Sequence, residues 1–228
     1  MSIIKYKEFD VTITFEGNVE GGIPKDPSIM KTWLETKGIS GAETYQETLA
    51  AMEAPVSDED KDKVEETIVQ KNWSGFKKHP EGGLYIEGRQ LKAAFKEAAN
   101  VTKEFLSKAN KQLKQARARL AERVFVWGTD IEGSKEIILL GKHEPDGTDE
   151  RVVHAQTRKG KISSIKRTDY VTAPTIKFRL EVLDDKLFTL EILTELLEYM
   201  GKNGLGANRS QGAGVFYLNE IVEVEHAA

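Results

Sequence analysis

The sequence predicts an α+β fold with a ferredoxin-like (RRM-like) β-α-β core, and three patterns lead to this prediction. Apolar and polar residues alternate at 9–15, which is the period of a half-buried strand. Residues 175–224 follow the order strand, amphipathic helix, glycine-rich loop and strand, which is half of a ferredoxin-like unit. A helix with an apolar stripe near Leu91 and a buried strand at 124–127 supply the other half. We therefore expect a single domain over 1–228.

An acidic insertion is predicted between the first strand and the Leu91 helix. A loop with two glycines and two prolines follows the first strand, and a short helix is expected at 27–37. Residues 40–82 are interpreted as a partly helical surface insertion. Within it, residues 43–66 carry nine acidic and two basic side chains. Such a segment is either a solvated face or a charged contact surface.

The middle of the chain predicts a long helical stretch between strands. Gly88 ends a short strand and opens the helix, and the later part of the helical stretch, 103–119, is strongly basic. That part belongs either to a second helix or to a continuation of the first. The predicted elements are a strand at 84–86, a helical stretch at 89–122, and strands at 124–127 and 137–140.

A basic hairpin arm is predicted at 150–170. Residues 151–167 contain six bases and no acid, and Arg158-Lys159-Gly160-Lys161 is typical of a hairpin tip. A basic arm with a glycine at its tip suits contact with several phosphates, although a solvated hairpin has the same pattern. The candidate residues in the arm are Arg151, His154, Arg158, Lys159, Lys161, Lys166 and Arg167.

The glycine-rich loop at 204–214 is the sharpest pattern in the sequence. Four glycines in eleven positions allow main-chain amides to approach an anion closely, and Arg209 adds a planar fork of donors that suits phosphate. The loop runs from a helix into a strand, whereas nucleotide-cofactor loops run from a strand into a helix. A helix cap followed by a tight turn is the alternative interpretation. The candidate residues are Gly204, Gly206, Asn208, Arg209, Ser210, Gln211, Gly212 and Gly214.

A third candidate phosphate contact lies at the start of the Leu91 helix. The first turn after Gly88 contains Arg89, Gln90 and Lys92, and the free amides of a helix start favour an anion. Lysines on the outer face of a helix usually bind nothing. This pattern therefore indicates a phosphate contact only in combination with the basic hairpin arm and the glycine-rich loop.

Composition excludes several classes of protein. The chain has 228 residues, 39% of them hydrophobic, and no cysteine, so disulfides and thiolate chemistry are excluded. No acid and histidine cluster has metal-ligand spacing, and no cofactor motif is present, so neither a metal nor a cofactor is expected. The start of the chain carries charge, and no apolar run is long enough to span a membrane. A cytoplasmic location without membrane contact is the simplest expectation.

Together, these segments resemble the RAMP superfamily, the ferredoxin-like RNA-binding proteins of CRISPR effector complexes. In that family a turn of the form Pro-Gly-Ser-Ser-x-Lys-Gly opens the first helix, and a glycine-rich loop precedes the last strand. Here Glu87, Arg89-Gln90 and Ala93 replace the proline, the serines and the second glycine. The resemblance covers 7–16, 84–100 and 150–225, and it is strongest to the backbone subunits that polymerise along a guide RNA.

The resemblance implies a non-catalytic subunit that binds the RNA backbone with little regard to sequence. Its expected partners are RNA, including a guide RNA, and copies of itself or other effector subunits, and we expect it to oligomerise along the RNA. The ribonucleoprotein would be of the CRISPR type or belong to a phage or mobile element. The chain is then a divergent or stand-alone member, because the 40–82 insertion has no counterpart in the family.

Two alternative functions stay open. The first is a RAMP-type endoribonuclease, because some members use an aspartate after the first strand, where this chain has Asp26, and others use a histidine, for which His154 is the candidate. Asp26 lies between Lys25 and Pro27 and is also suited to cap a helix, which is the favoured interpretation. The second is a protein-interaction or inhibitory module in which residues 43–66 mimic nucleic acid.

Overall fold

The part of the chain that the structure describes divides into two compact units. The computed structural model describes residues 4–25, 73–157 and 160–224, without the side chains of 154–157 and 160–164. The larger unit, called the sheet unit below, comprises Met1–Glu20, Phe76–Asp146 and Tyr170–Ala228. The smaller one, called the arm unit, comprises Gly21–Gly75 and Gly147–Asp169.

The described ranges contain twelve strands, three α-helices and two short 3-10 helices. The strands are β1 (Tyr6–Phe15), β2 (Asn18–Glu20), β3 (Ile23–Pro24), β4 (Trp73–Gly75), β5 (Lys77–His79), β6 (Gly83–Glu87), β7 (Val124–Gly128), β8 (Ile137–Leu139), β9 (Gly147–Thr157), β10 (Gly160–Thr172), β11 (Thr175–Leu183) and β12 (Phe216–Glu223). The helices are α1 (Gly88–Ala109), α2 (Ala116–Arg123) and α3 (Leu190–Asn203), and the 3-10 helices are Lys111–Gln115 and Arg209–Gln211.

The main sheet of the sheet unit has four strands in the order β12-β1-β11-β7. All three neighbouring pairs are antiparallel. Along the chain, these strands and the two longer helices follow the order β1, α1, β7, β11, α3, β12. A second, three-stranded sheet of β5, β6 and β8 leads directly into α1.

One face of the main sheet is buried against α1 and α3. Alternate β1 residues from Phe9 to Phe15 point into the core, and each is at most 2% exposed. The apolar stripe of α1 buries Leu91 and Phe95, and that of α3 buries Leu196, all in the same hydrophobic cluster. The period-2 pattern of the strand and the period-3.6 pattern of the helices therefore meet in one core.

A buried carboxylate holds the arm unit together. Asp169 is 2% exposed and lies at the end of the β10 segment that pairs with β4. Its Oδ1 accepts hydrogen bonds from Trp73 Nε1 at 2.7 Å and Thr148 Oγ1 at 2.9 Å, and its Oδ2 lies 2.5 Å from Lys25 Nζ. The Lys25 ammonium also lies 4.2 Å from the centroid of the Trp73 ring. No sequence pattern predicts this cluster, because its four residues come from distant parts of the chain.

The predicted α+β class is confirmed, and most predicted elements lie where the periodicity placed them. The helical stretch at 89–122 is divided, because Asn110 adopts an extended conformation and its side chain accepts a hydrogen bond from Gln112 N at 3.0 Å. The predicted helix at 27–37 and most of the 40–82 insertion lie outside the described residues. The described end of that insertion, 73–82, contains β4 and β5 instead of a helix.

The basic hairpin arm predicted at 150–170 lies in the paired strands β9 and β10, which are separated by residues 158 and 159. That connection lies outside the described residues. Within the described ranges, no helix is long and apolar enough to cross a membrane. The single-domain prediction for 1–228 stays a prediction.

Candidate nucleic-acid interface

A small open cleft lies in the sheet unit between α1 and the glycine-rich loop. Its volume is about 200 Å³, and it is lined by Ile86, Gln90, Ala93, Ala94, Glu97, Leu205, Gly206 and Arg209. The cleft thus brings together two segments that the sequence analysis identified separately, the start of the α1 helix and the 204–214 loop. Enclosed ligand pockets are usually larger, about 300–1,000 Å³, so this cleft suits part of an extended ligand.

The glycine-rich loop is fixed to β2 and closed at its base. Ala207 N donates to Glu20 O at 2.9 Å, and Gly214 N donates to Asn18 O at 2.9 Å. Leu205 N donates to Gly214 O at 2.8 Å, so the two ends of the loop pair with each other. The Asn208 side chain donates to the buried carboxylate of Glu20. The base of the loop is buried and its tip is exposed.

Most of the loop amides are used inside the protein. The amides of Gly204, Leu205, Ala207, Gln211, Gly212 and Gly214 all donate to protein carbonyls. Gly204 has a φ of +80° directly after α3, and its amide donates to Met200 O at 2.8 Å, which is a helix cap. The helix-cap interpretation therefore explains part of this glycine pattern. An amide cradle, which was the expected role of the glycines, is not formed by these six amides.

Arg209 is the charged donor that the loop places in the cleft. Its Nη1 lies 2.9 Å from Glu97 Oε2 on α1, and Asn203 Nδ2 donates to Glu97 Oε1 at 3.2 Å. The hydrogen bond from Arg209 lowers the pKa of the Glu97 carboxyl, and that from Asn203 acts in the same direction. Both charged side chains are partly exposed, at 34% for Arg209 and 45% for Glu97, so a phosphate can compete with Glu97 for the guanidinium.

The start of α1 places Gln90 at the cleft and Arg89 at the surface. Gln90 Oε1 accepts a hydrogen bond from Glu87 N at 3.1 Å as part of a capping box. Arg89 Nη2 lies 2.5 Å from Glu87 Oε2. Burial alone would raise the pKa of the Glu87 carboxyl, but Arg89 and Lys77 hold it below its usual range. These contacts fix the helix start and leave Arg89 exposed.

Lys92, the third predicted phosphate-contacting residue at the start of α1, makes contacts within the protein. Its Nζ donates to Ala121 O at 2.9 Å and to Val124 O, and it lies 4.6 Å from the centroid of the Phe125 ring. Burial lowers the pKa of the Lys92 ammonium. The lysine therefore ties the end of α2 to α1, and its role in RNA binding stays a prediction without a supporting contact.

In the arm unit, acids just before the basic segment pair with two of its bases. Arg151 Nε donates to Asp149, and Arg167 Nε donates to Glu150 Oε1 at 2.6 Å. Lys166 is half-buried. Arg158 and Lys159 lie outside the described residues. For His154 and Lys161, the structure describes the backbone and not the side chain. The proposed phosphate contacts of the arm stay predictions.

Neither candidate catalytic residue can be placed in a site. Asp26 lies outside the described residues, and for His154 only the backbone position in β9 is described. In the described ranges, no three histidine or acidic side chains are grouped so that they could hold a metal ion.

The outer face of the main sheet is an unfavourable surface for a phosphate chain. Because side chains alternate between the two faces of the sheet, four carboxylates and two basic side chains lie on its outer face. Arg179 forms ion pairs there with Asp10 at 2.7 Å and with Glu8 at 2.8 Å. Trp127 Nε1 donates to Glu181 Oε2 at 2.8 Å. The excess of negative charge repels phosphate, so the cleft beside α1 is the better candidate. The outward charged residues are Glu8, Asp10, Lys177, Arg179, Glu181 and Glu220.

Glu97 is a charged cleft residue that is not among the predicted site residues. It lies seven residues after Gln90, which is two helical turns, so the two side chains share one face of α1. That spacing could have suggested a shared surface. Its pairing with Arg209 depends on the fold, because the two residues are 112 positions apart.

The fold and this cleft define a mixed α+β protein whose architecture also occurs in a solved RNA-bound complex. No family model matches the chain. No curated protein matches it either. One similar solved structure is a chain of the Type III-B Cmr-beta bound to cognate target RNA, determined by cryo-EM, with a TM-score of 0.50 and 13% identity over 97% of this chain. This chain spans 61% of the length of that comparison chain. At this level of identity, the similarity shows a shared fold.

Proposed function

We propose that the protein is an RNA-binding subunit of a CRISPR-type ribonucleoprotein, with a ferredoxin-like core of the RAMP superfamily. The observation that carries the proposal is the strand order β12-β1-β11-β7 with the chain order β1, α1, β7, β11, α3, β12. Two interlocked β-α-β units with antiparallel strands are the arrangement of a ferredoxin-like fold. The shared fold with a chain of Cmr-beta supports the same assignment.

In this proposal, the RNA backbone contacts the cleft between α1 and the glycine-rich loop. Arg209 supplies a guanidinium for a phosphate, and Gln90 and Ser210 supply neutral donors. The exposed loop tip and the small size of the cleft suit a passing strand. Contacts of this kind do not distinguish bases, so binding is tolerant of RNA sequence. Other effector subunits or copies of this chain bind the same RNA.

The proposal is tested by binding of single-stranded RNA of increasing length at 50 mM and 200 mM salt. We expect binding that weakens with salt, with a slope of about −0.7 in log K against log salt for each phosphate contacted. Fluorescence anisotropy with labelled RNA measures both quantities. Lack of binding at 50 mM salt contradicts the proposal, and a double-stranded DNA of equal length serves as the comparison ligand.

Substitutions at the Arg209–Glu97 pair are expected to change RNA affinity in opposite directions. Arg209→Ala removes a charged hydrogen bond to phosphate, so we expect affinity to fall by about tenfold or more. Glu97→Gln removes the competing carboxylate, so we expect affinity to rise. A partly exposed ion pair contributes little to folding, about 1 kcal/mol or less, so both variants should stay folded.

The matched control for this pair is Lys177→Ala. Lys177 is an exposed base on the outer face of the main sheet, and its loss should leave RNA affinity within about twofold, since exposed charges far from a ligand are screened by salt. Equal affinities for wild type, Arg209→Ala and Glu97→Gln would exclude the cleft as the contact site.

A further inference from the structure

An exposed stripe of α1 leads from the cleft to the end of the helix. Ala93, Glu97, Val101 and Phe105 follow one another at four-residue spacing and are all exposed, so they form a stripe that winds around the helix by about 40° at each step. The first two line the cleft. Val101 is 52% exposed and Phe105 is 71% exposed. At 1.5 Å per residue, Phe105 lies about 18 Å along the helix from Ala93.

Phe105 is an aromatic ring on the surface beside a lysine. Lys108 Nζ lies 5.3 Å from the centroid of the Phe105 ring, within the range of a cation–π contact. The neighbouring Leu106 is 8% exposed and belongs to the core, so the helix buries its own apolar side and leaves Phe105 outward. An exposed ring beside a cation provides the two contacts that a single-stranded nucleic acid needs.

The chain around Phe105 is strongly basic. Residues 103–123 carry seven bases and only two acids, Glu104 and Glu122. Lys108, Lys111 and Lys114 are exposed, and no carboxylate of the described residues forms an ion pair with any of the three. The net positive charge of this segment contrasts with the net charge of −4 of the whole chain. A polyanion is therefore the complementary ligand.

We propose that a single-stranded RNA continues from the cleft along this stripe, so that one base stacks on Phe105 and phosphates contact Lys108, Lys111 and Lys114. The inference rests on the proposed function and adds a second contact region to it. Stacking on an aromatic ring is available to every base, so this region does not select sequence.

A second copy of the chain is a poorer occupant of this surface. Its large exposed apolar side chains in the described part of α1 are Val101 and Phe105. A buried aromatic side chain contributes about 150–250 Å², whereas a stable interface needs about 800 Å² from each partner. Lysines are also depleted in protein interfaces. The small exposed apolar area and the positive charge of this surface both favour RNA over a second copy of the chain.

The test compares RNA affinity of the full-length wild type with four variants, measured by anisotropy with a labelled single-stranded RNA. We expect Phe105→Ala to weaken binding by about fivefold or more, and Phe105→Trp to retain it because an indole also stacks. Lys108→Ala should weaken binding and reduce the salt dependence by about one phosphate contact. Tyr217→Ala is the control, since Tyr217 is a 48% exposed aromatic residue on β12. Photocrosslinking with bromouridine-substituted RNA and mass spectrometry should place an adduct at or beside Phe105.

The other outcomes distinguish failure of this inference from failure of the proposed function. Full RNA binding by Phe105→Ala and Lys108→Ala, with adducts elsewhere, overturns this inference and leaves the proposed function in place. Lack of RNA binding by wild type overturns both. A change in the oligomeric state of Phe105→Ala without RNA, seen by analytical ultracentrifugation, shows that another copy covers this surface and overturns the inference.

Discussion

Gly214→Ala is expected to lower the free energy of unfolding of the sheet unit by about 3–5 kcal/mol. Gly214 has a φ of +75°, which an alanine adopts only with strain. A Cβ at this position would lie 1.8 Å from Leu205 O, so the backbone of the opposite loop end must move. That movement would disrupt the hydrogen bond from Leu205 N to Gly214 O that closes the loop. Urea denaturation measures the loss.

Gly212→Ala is the matched control, because it separates backbone strain from steric overlap. Gly212 has a similar φ of +87°, but a Cβ added at this position would meet no atom within 4 Å. Its substitution should therefore cost only about 1–2 kcal/mol. The Gly214→Ala variant that still folds should also bind RNA with lower affinity. The reason is that the loop base holds Gly206 and Arg209 in position at the cleft. Equal stabilities of the two variants would contradict the described packing of the loop.

The sequence predicted the carboxy-terminal part of the fold well because its patterns are local. Residues 175–183 alternate, the helix carries a leucine stripe, and Gly204 follows its last turn. These features identify β11, α3 and its cap without knowledge of the partners. The order of strands in the sheet cannot be predicted from such local patterns. Pairing of β1 with β11 and β12 joins residues more than 150 positions apart, and no local pattern specifies it.

The glycine-rich loop was identified as important, but its glycines have a structural reason that sequence could not reveal. At Gly206, a Cβ would lie 2.8 Å from Glu20 O of β2, so close approach of two backbones requires glycine there. The four glycines predict main-chain amides that are available to an anion. Hydrogen bonds to β2, across the loop base, to the end of α3 and within the loop use six of those amides instead.

The candidate site was predicted in part. Arg209 and Gln90 were named as phosphate contacts from residue type and position, and the fold brings both to one cleft. Glu97 was not named, because an exposed acid on a helix has no distinctive pattern of its own. The strands β4 and β5 were missed because they are three residues long each and follow an acidic segment that suggested helix.

Lys25→Met is expected to destabilise the arm unit by about 3 kcal/mol. The substitution keeps most of the side-chain volume but leaves the Asp169 carboxylate, which is 2% exposed, without its cation. The hydrogen bonds from Trp73 and Thr148 remain, but they do not neutralise the charge. Hydrogen–deuterium exchange of residues 73–75 and 164–169 reports opening of this unit separately from the sheet unit. We expect their protection to fall while that of β1 is retained.

The double variant Lys25→Met with Asp169→Asn decides whether charge or packing causes that loss. Asparagine keeps an oxygen that can accept from Trp73 Nε1 and Thr148 Oγ1, and it carries no charge. If the unpaired carboxylate is the cause, the double variant should recover about 2 kcal/mol relative to Lys25→Met, because the buried site then holds no carboxylate that lacks a cation. Asp169→Asn alone should cost about 1–2 kcal/mol, since the partly exposed Lys25 ammonium can turn to water. Additive losses in the double variant would contradict an electrostatic role for Lys25 and assign its effect to contact with the Trp73 ring.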